Sequence, residues 1–309
     1  MIYLDEDAVR ELLDWNDLIA AMERTLAAFS RGEVTQPLRS IVTIDENQRY
    51  LGVMPAVVGD VMGAKLVAFY PANAQLDLPT HEATIVLYRT DIGRPLVAMD
   101  GRLITEMRTA AVSAAITRYL ASAQSRVLAL LGSGVQARSH LAALSRVRTF
   151  NEVRVWSRTP ERAKRFAGQH GATAAESAEA AVRGADVVVT ATASREPILK
   201  GAWLKPGSHV NAVGSAHPDW RELDEEAMSN AVVVDSRESA LKEAGDVILS
   251  RAQIYAEAGE IFNGTKAPPT GAITIFKSVG LACEDIAAAR LVLDGAEARQ
   301  TPKGGSHVP

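Results

Sequence analysis

The run Val127-Leu128-Ala129-Leu130-Leu131 leads directly into Gly132-Ser133-Gly134-Val135-Gln136-Ala137, and a helix-compatible segment follows from Ala137 to Leu144. A short apolar run closed by glycine predicts a strand buried on both faces. Between that strand and that helix, G-x-G-x-x-A is the dinucleotide-binding turn in the context it requires. Gly132 permits the tight turn, Gly134 lets the backbone approach a pyrophosphate, and Ala137 lets helix and strand pack closely. The first N–H groups of the helix and the positive end of its dipole then attract the phosphates. Gly132, Ser133, Gly134, Val135 and Gln136 are therefore the expected phosphate-contacting residues. The alternative is a tight strand-to-helix turn with no ligand.

Downstream of this turn, apolar strands alternate with helical segments. The strands read at 127–131, 153–156, 186–190, 209–213 and 232–235, so a parallel sheet covered on both faces is expected. Upstream the grammar differs. An amphipathic helix from Asp17 to Ser30, with Asn16 or Asp17 as N-cap and Gly32 beyond it, precedes short β-rich runs at 41–44, 50–58, 61–70, 83–88 and 95–99. Turn residues separate these runs, and a mostly antiparallel sheet fits them. The segment from Ile275 to about Gly295 reads as one long alanine-rich helix, and the alanines around 172–181 read as another. The end of the chain, from Gln300 to Pro309, reads as loose.

Composition limits the class. The sequence has 309 residues, enough for two domains, with 47% hydrophobic and 23% charged residues. The formal charge is −4, and without a basic run neither nucleic acid nor an acidic membrane is the expected partner. The beginning Met1-Ile2-Tyr3-Leu4-Asp5-Glu6-Asp7 carries acids where a signal peptide carries bases, and no apolar run reaches membrane-spanning length. With Cys283 as the single cysteine, a reducing, cytoplasmic setting is expected. The six histidines show no metal-ligand spacing, so no metal is expected. His217 either lines a pocket or sits on a surface loop, and Asp224, Glu225 and Glu226 read as the solvated start of a helix.

At the end of the second parallel strand, an NAD-specific site usually places an acid for the ribose 2′-hydroxyl. Here the residues are Trp156-Ser157-Arg158-Thr159. Arg158 can grip a 2′-phosphate with two parallel hydrogen bonds, helped by Ser157, Thr159 and Arg162, which favours NADPH; a solvated Arg158 with NADH is the alternative.

Three cations sit in apolar company. Lys65 shares a strand face with Val61, Gly63, Val67 and Phe69, and Arg39 shares one with Ile41 and Thr43. Arg108 falls in the first turn of a helix opening at Thr105, where a cation is disfavoured unless an anion lies nearby. They either share one substrate carboxylate, or each reaches water or a local acid such as Glu82 or Glu106.

These residues resemble the ornithine cyclodeaminase and mu-crystallin family, closest to its mu-crystallin, ketimine reductase branch. The likeness runs from Gln36-Pro37-Leu38-Arg39 through Tyr50-Leu51-Gly52-Val53-Met54-Pro55-Ala56 to the last helix. It is most specific in Arg108-Thr109-Ala110-Ala111-Val112-Ser113-Ala114, Asn211-Ala212-Val213-Gly214-Ser215, Pro218-Asp219-Trp220-Arg221-Glu222-Leu223-Asp224 and Glu243-Ala244-Gly245-Asp246-Val247. The resemblance implies an α/β chain with two parts. One is a doubly wound Rossmann domain, residues 121–274; the other is an α+β substrate-binding and dimerisation domain, residues 1–120 and 275–309. It implies a homodimer, a small imino or amino acid substrate, and carboxylate binding by Arg39, Lys65 and Arg108 with Thr84 near the pocket. Thr109, Thr190, Ala191, Val213 and Gly214 are the remaining expected cofactor contacts.

One departure bears on chemistry. Where ornithine cyclodeaminases and related alanine dehydrogenases look to carry a catalytic aspartate, this chain has Ser215. Reduction of a preformed C=N bond needs only carboxylate binding, a hydride donor and a proton source, for which Lys65 or a water held by Ser215 serves. Reduction of cyclic ketimines such as 1-pyrroline-2-carboxylate and 1-piperideine-2-carboxylate is the leading expectation. The alternatives are an acyclic imino-acid reductase or amino-acid dehydrogenase, then ornithine cyclodeamination. A non-catalytic, mu-crystallin-like binding protein is the alternative of a different class.

Overall fold

The computed structural model describes residues 2–45, 49–76 and 78–300; the tail read above as loose lies, beyond Gln300, outside the described residues. The chain divides into two compact units. One comprises Met1–Ala21, Val34–Thr105 and Ala282–Pro309, the other Met22–Glu33 and Glu106–Leu281. The last boundary lies at Ala282 rather than at 275, because Thr274–Lys277 is an inner strand of the second unit's sheet, and the first lies at Glu106 rather than at 121, inside the helix Arg102–Leu120.

In the first unit, strands β1 (Ile2–Leu4), β2 (Ser40–Thr43), β3 (Tyr50–Val58), β4 (Val61–Phe69), β5 (His81–Arg89) and β6 (Pro95–Asp100) form one sheet in the order β1-β6-β5-β4-β3-β2. All pairs are antiparallel except β1 with β6. The three residues of β1 are too few to show a period of two, so that strand has no sequence signature. Along β3, β4 and β5 burial alternates: Met54, Ala56, Val61, Lys65, Val67, Ile85 and Leu87 are buried. The helix Ala282–Gln300 packs against these three strands. Each apolar side chain fully buried here contributes about 1.5–3 kcal/mol. The opposite face carries Leu51 and Leu66, 37% and 40% exposed.

Helix Trp15–Ser30 opens two residues earlier than expected. Asp14 is its cap: Asp14 Oδ1 accepts from Asn16 N at 2.7 Å and Asp17 N at 3.3 Å. The α-helix Arg102–Leu120 likewise opens before Thr105, with Asp100 Oδ1 accepting from Leu103 N at 3.0 Å. Arg108 therefore lies in the second turn, not the first, and the helix dipole disfavours it less than the sequence suggested.

In the second unit, strands β7 (Val127–Leu131), β8 (Glu152–Trp156), β9 (Thr173–Ala174), β10 (Val187–Thr190), β11 (His209–Ala212), β12 (Ala231–Val234), β13 (Ile254–Glu257) and β14 (Thr274–Lys277) form a parallel sheet. The order is β13-β12-β14-β11-β10-β7-β8-β9, so the chain reverses its direction of winding between β7 and β10. Ligands of such sheets bind at the carboxyl ends of the strands beside that reversal.

Two helix expectations are corrected. Thr274-Ile275-Phe276-Lys277 is a buried strand, and helix begins only at Ala282, after Gly280 at φ +77° has turned the chain. A four-residue apolar run does not distinguish strand from helix by periodicity. Within 172–181, Thr173–Ala174 is the strand β9 and only Ala178–Val182 is helical, capped by Ser177.

Candidate functional site

Beyond β7, Gly132 adopts φ +119°, and a Cβ there would lie 2.5 Å from the Ala191 carbonyl oxygen at the end of β10. Glycine is thus required for the turn to pass between the two strand ends. Gly134 is the N-cap of helix Val135–Leu144, no side chain caps that helix, and open space surrounds the position of an added Cβ. Free N–H donors behind an open backbone suit a pyrophosphate. Ala137 is buried, as close helix packing demands, and Gln136 Oε1 is buried without a partner.

This turn forms one wall of a cleft whose other walls are Trp156–Thr159 with Arg162 and the Ala191–Thr192 segment. No aspartate or glutamate lines it, and two arginines do. Ser133, Ser157, Arg158, Thr159 and Ala191 therefore lie together beside the glycines. Thr190 does not join them through its side chain, because its hydroxyl is buried and donates to Glu222 Oε2 at 2.7 Å.

Glu222 organises the ends of β10 and β11. Its Oε1 accepts from the Thr192 N–H and hydroxyl, both at 2.6 Å, and its Oε2 also accepts from Gly214 N at 3.0 Å. Burial raises its carboxyl above the ordinary value, with Lys277 opposing and Asp246 reinforcing that shift. Lys277, on β14, donates to the Gly214 carbonyl at 2.5 Å and pairs with Asp246 at 2.8 Å. Asp246 Oδ1 accepts from the N–H groups of Glu222 and Leu223. The three charges are wholly buried and hold Val213-Gly214-Ser215 in place. Ser215 itself has φ 51°, and its hydroxyl donates to the Ser194 carbonyl at 2.5 Å. Sequence reasoning missed these supports. Glu222 and Asp246 lay in quoted motifs, but Lys277 sat in the segment read as helix.

Arg108, 4% exposed, lays its guanidinium on Gly280, where an added Cβ would fall 2.5 Å from Nη1. Asp235 holds that turn: its Oδ2 accepts from Ser278 Oγ, Val279 N and Gly280 N at 2.9, 2.8 and 2.7 Å. Thr109 is buried beside Arg108 in the same helix. His140 bonds Gln136 O and Ser113 Oγ, while His209 bonds Thr274 Oγ1 and Asn211 Oδ1. Burial pushes both imidazoles down to about 4. His217 is half-buried and stacked on Trp220 at 4.9 Å, and Asp224 caps helix Glu225–Met228.

In the first unit, Lys65 faces the buried side of the sheet, as alternation predicted, and it pairs with an acid that the sequence did not single out. Lys65 Nζ lies 2.6 Å from Asp285 Oδ2 with side-chain exposures of 2% and 0%, and donates to Thr105 Oγ1 at 3.3 Å. Thr84 pairs with Leu66 and Asp100 across the ladder, which puts its side chain on the face opposite Lys65. Arg39 is half-buried one residue ahead of β2, whose Ser40 pairs with Val53, neighbour of Lys65's partner Met54. Phe69 and His81 pair directly on the Lys65 face, their rings 4.6 Å apart. Crowding around that imidazole, then the nearby Lys65 ammonium, push it down to about 4, although the residue keeps an exposed surface.

Among the described residues there is no cluster of three or more metal-ligating side chains, and no helix long and apolar enough to cross a membrane. The second unit, with its parallel sheet and open glycine turn, is of the doubly wound, NAD(P)-binding class. The chain as a whole belongs to the ornithine cyclodeaminase/mu-crystallin family, whose model matches residues 2–300. It is 47% identical over 301 residues to the ketimine reductase mu-crystallin of Rattus norvegicus, covering 94% of this chain and 96% of that protein. Among solved structures it is similar to Thermococcus litoralis Delta(1)-pyrroline-2-carboxylate reductase in complex with NADH and L-proline. The TM-score is 0.92 at 35% identity, over 97% of this chain and 98% of that one. An archaeal alanine dehydrogenase dimer with bound NAD matches at TM-score 0.91 and 32% identity, over 97% of each chain.

Proposed function

We propose that this protein is an NAD(P)H-dependent reductase of cyclic ketimines, taking 1-pyrroline-2-carboxylate or 1-piperideine-2-carboxylate to proline or pipecolate. The likeness over 94% of the chain to a ketimine reductase carries this reading, and the likeness to a pyrroline-carboxylate reductase bound to NADH and L-proline supports it. When bound, the dinucleotide supplies hydride to the imine carbon.

The residues of this chain take the other roles. The glycine turn and the N-terminus of helix Val135–Leu144 bind the pyrophosphate, while Val213 and Gly214 shape the site at the end of β11. A cleft with two arginines and no acid favours the extra phosphate of NADPH over NADH. Arg39 and Arg108 are each suited to hold a substrate carboxylate, because guanidinium groups grip carboxylates with paired hydrogen bonds. Lys65 is already matched by Asp285, attracts a second carboxylate less, and serves instead as the proton donor. Ser215 commits its proton to Ser194, so it acts on substrate or water only as an acceptor. The Gly214–Ser215 turn carries no carboxylate, and without one cyclodeamination lacks its base.

The first unit is the substrate-binding part. Its open sheet face, with Leu51, Val53, Leu66, Val86 and Tyr88 partly exposed, pairs two copies into a homodimer; the archaeal neighbour is a dimer. With a single cysteine, Cys283, and that one buried, we place the protein in the cytoplasm. Likeness to an alanine dehydrogenase favours an acyclic imino acid as second reading. The test follows nicotinamide absorbance with NADPH and NADH against both cyclic imines, and against 2-oxo acids with ammonium. Turnover of neither cyclic imine with either dinucleotide overturns the assignment, and turnover only with ammonium favours the second reading.

A further inference from the structure

We infer that Asp285 is a positioning residue for the reduction: it holds Lys65 as an ammonium ion inside the sheet face, with the proton that Lys65 delivers to the substrate nitrogen. This rests on the function proposed above. The observation behind it is the pair itself, two opposite charges 2.6 Å apart and almost wholly buried, in a site where either charge alone is strongly disfavoured.

The surroundings of Lys65 single out Asp285. Across the ladder its neighbours are Met54 on β3 and Ile85 on β5, which do not titrate. His81, further along β5, acts on Lys65 only as a neighbour of low basicity. Arg39 lies ahead of β2, and a second cation there favours the neutral amine. Helix Arg102–Leu120 offers Thr105, whose hydroxyl accepts from Lys65 Nζ and donates to the Gly101 carbonyl at 2.7 Å. Helix Ala282–Gln300 offers Asp285 in its first turn, with buried Glu284 beside it. Asp285 is the acid in contact. The start of that helix is tied down by Gln36, whose Oε1 accepts from Cys283 N at 2.7 Å, so the carboxylate is held at a set depth over the sheet.

The chemistry balances. An N–H bond at Lys65 Nζ breaks as an N–H bond forms on the imine nitrogen, and the electron pair of the broken bond stays on Nζ. The imine carbon gains hydride from the reduced nicotinamide, which is oxidised in the same turnover, and water returns a proton to Nζ. A saturated secondary amine binds a proton about as firmly as lysine does, so the transfer is nearly balanced.

The test uses the full-length protein with lysines carbon-labelled at Cε, the Lys65 signal being assigned by its loss in Lys65→Met. In the unaltered protein Lys65 stays charged at neutral pH. In Asp285→Asn its titration moves to lower pH. The high-pH limb of kcat/KM for the cyclic imine moves with it, kcat at neutral pH falls roughly 100-fold, and dinucleotide KM is unchanged. A Lys65 signal already neutral at neutral pH in the unaltered protein overturns the proposal, and that measurement decides if Asp285→Asn fails to fold. So does an Asp285→Asn profile that superimposes on the unaltered one. Absence of turnover by the unaltered protein sinks the reductase reading instead, whereas turnover with a Lys65 titration unmoved by Asp285→Asn sinks only the positioning role.

Discussion

Lys277 Nζ lies 2.8 Å from Asp246 Oδ2, and neither side chain is exposed to solvent. The pair joins β14 to the chain segment that carries Glu222, because Asp246 also accepts from the Glu222 and Leu223 N–H groups. Removing one partner leaves a buried charge alone, which costs far more than the intact pair contributes. Asp246→Ala is therefore expected to lose about 3–5 kcal/mol of stability in denaturant unfolding. A loss under about 1 kcal/mol would show that the pair is not buried as described.

Gly132→Ala introduces a Cβ at φ +119° and 2.5 Å from the Ala191 carbonyl. Backbone strain of this kind costs about 1–3 kcal/mol, and the turn must move away from the end of β10. The expected outcome is a dinucleotide Kd at least about tenfold weaker in a fluorescence titration, with the fold retained by circular dichroism.

Arg158 borders a cleft that no acid lines. Arg158→Ala is expected to raise KM for NADPH by about tenfold, the loss of a charge-assisted hydrogen bond, while KM for NADH changes little. Equal effects on both dinucleotides would remove Arg158 from 2′-phosphate recognition.

The guanidinium of Arg108 rests on Gly280, at φ +77°. Gly280→Ala drives a methyl group into Nη1 and displaces the arginine. KM for the imino acid is then expected to rise by roughly tenfold or more, with dinucleotide Kd unchanged in the same preparation. An unchanged KM would separate Arg108 from carboxylate binding.

Burial holds His140 and His209 down to about 4, against about 6.5 in an unfolded chain. Between those values the unfolded state binds the more protons, so stability rises with pH through the window and is lost as pH falls through it. Each histidine accounts for about 2 kcal/mol between pH 7 and pH 5. Glu222 works against this trend, since burial raises its carboxyl and its contribution declines as pH rises. His81 is held at about 4 as well, so the unfolding midpoint is expected to fall on acidification from pH 7 to pH 5, and His140→Gln to remove about a third of the histidine contribution. A His140→Gln protein whose midpoint varies with pH as the unaltered protein's does would mean that His140 titrates normally.

Local order was legible in the sequence. The five apolar residues before Gly132 and the turn after them specify β7, the tight turn and the helix that follows it, because φ restrictions and a close backbone approach act over neighbouring residues. Alternation placed Lys65 on the buried face of β4 for the same reason: side chains on a strand repeat every two residues whatever lies across from them. Partner choice was not legible. Asp285 meets Lys65, and Asp246 meets Lys277, only because a helix and a strand from elsewhere in the chain return to those positions. The burial of β14 depends on its insertion between β11 and β12, and ladder register turned Thr84 away from Lys65. Periodicity reports which way a side chain faces; what it faces is decided by long-range packing, where the cost of an unmatched buried charge selects the arrangement that pairs it.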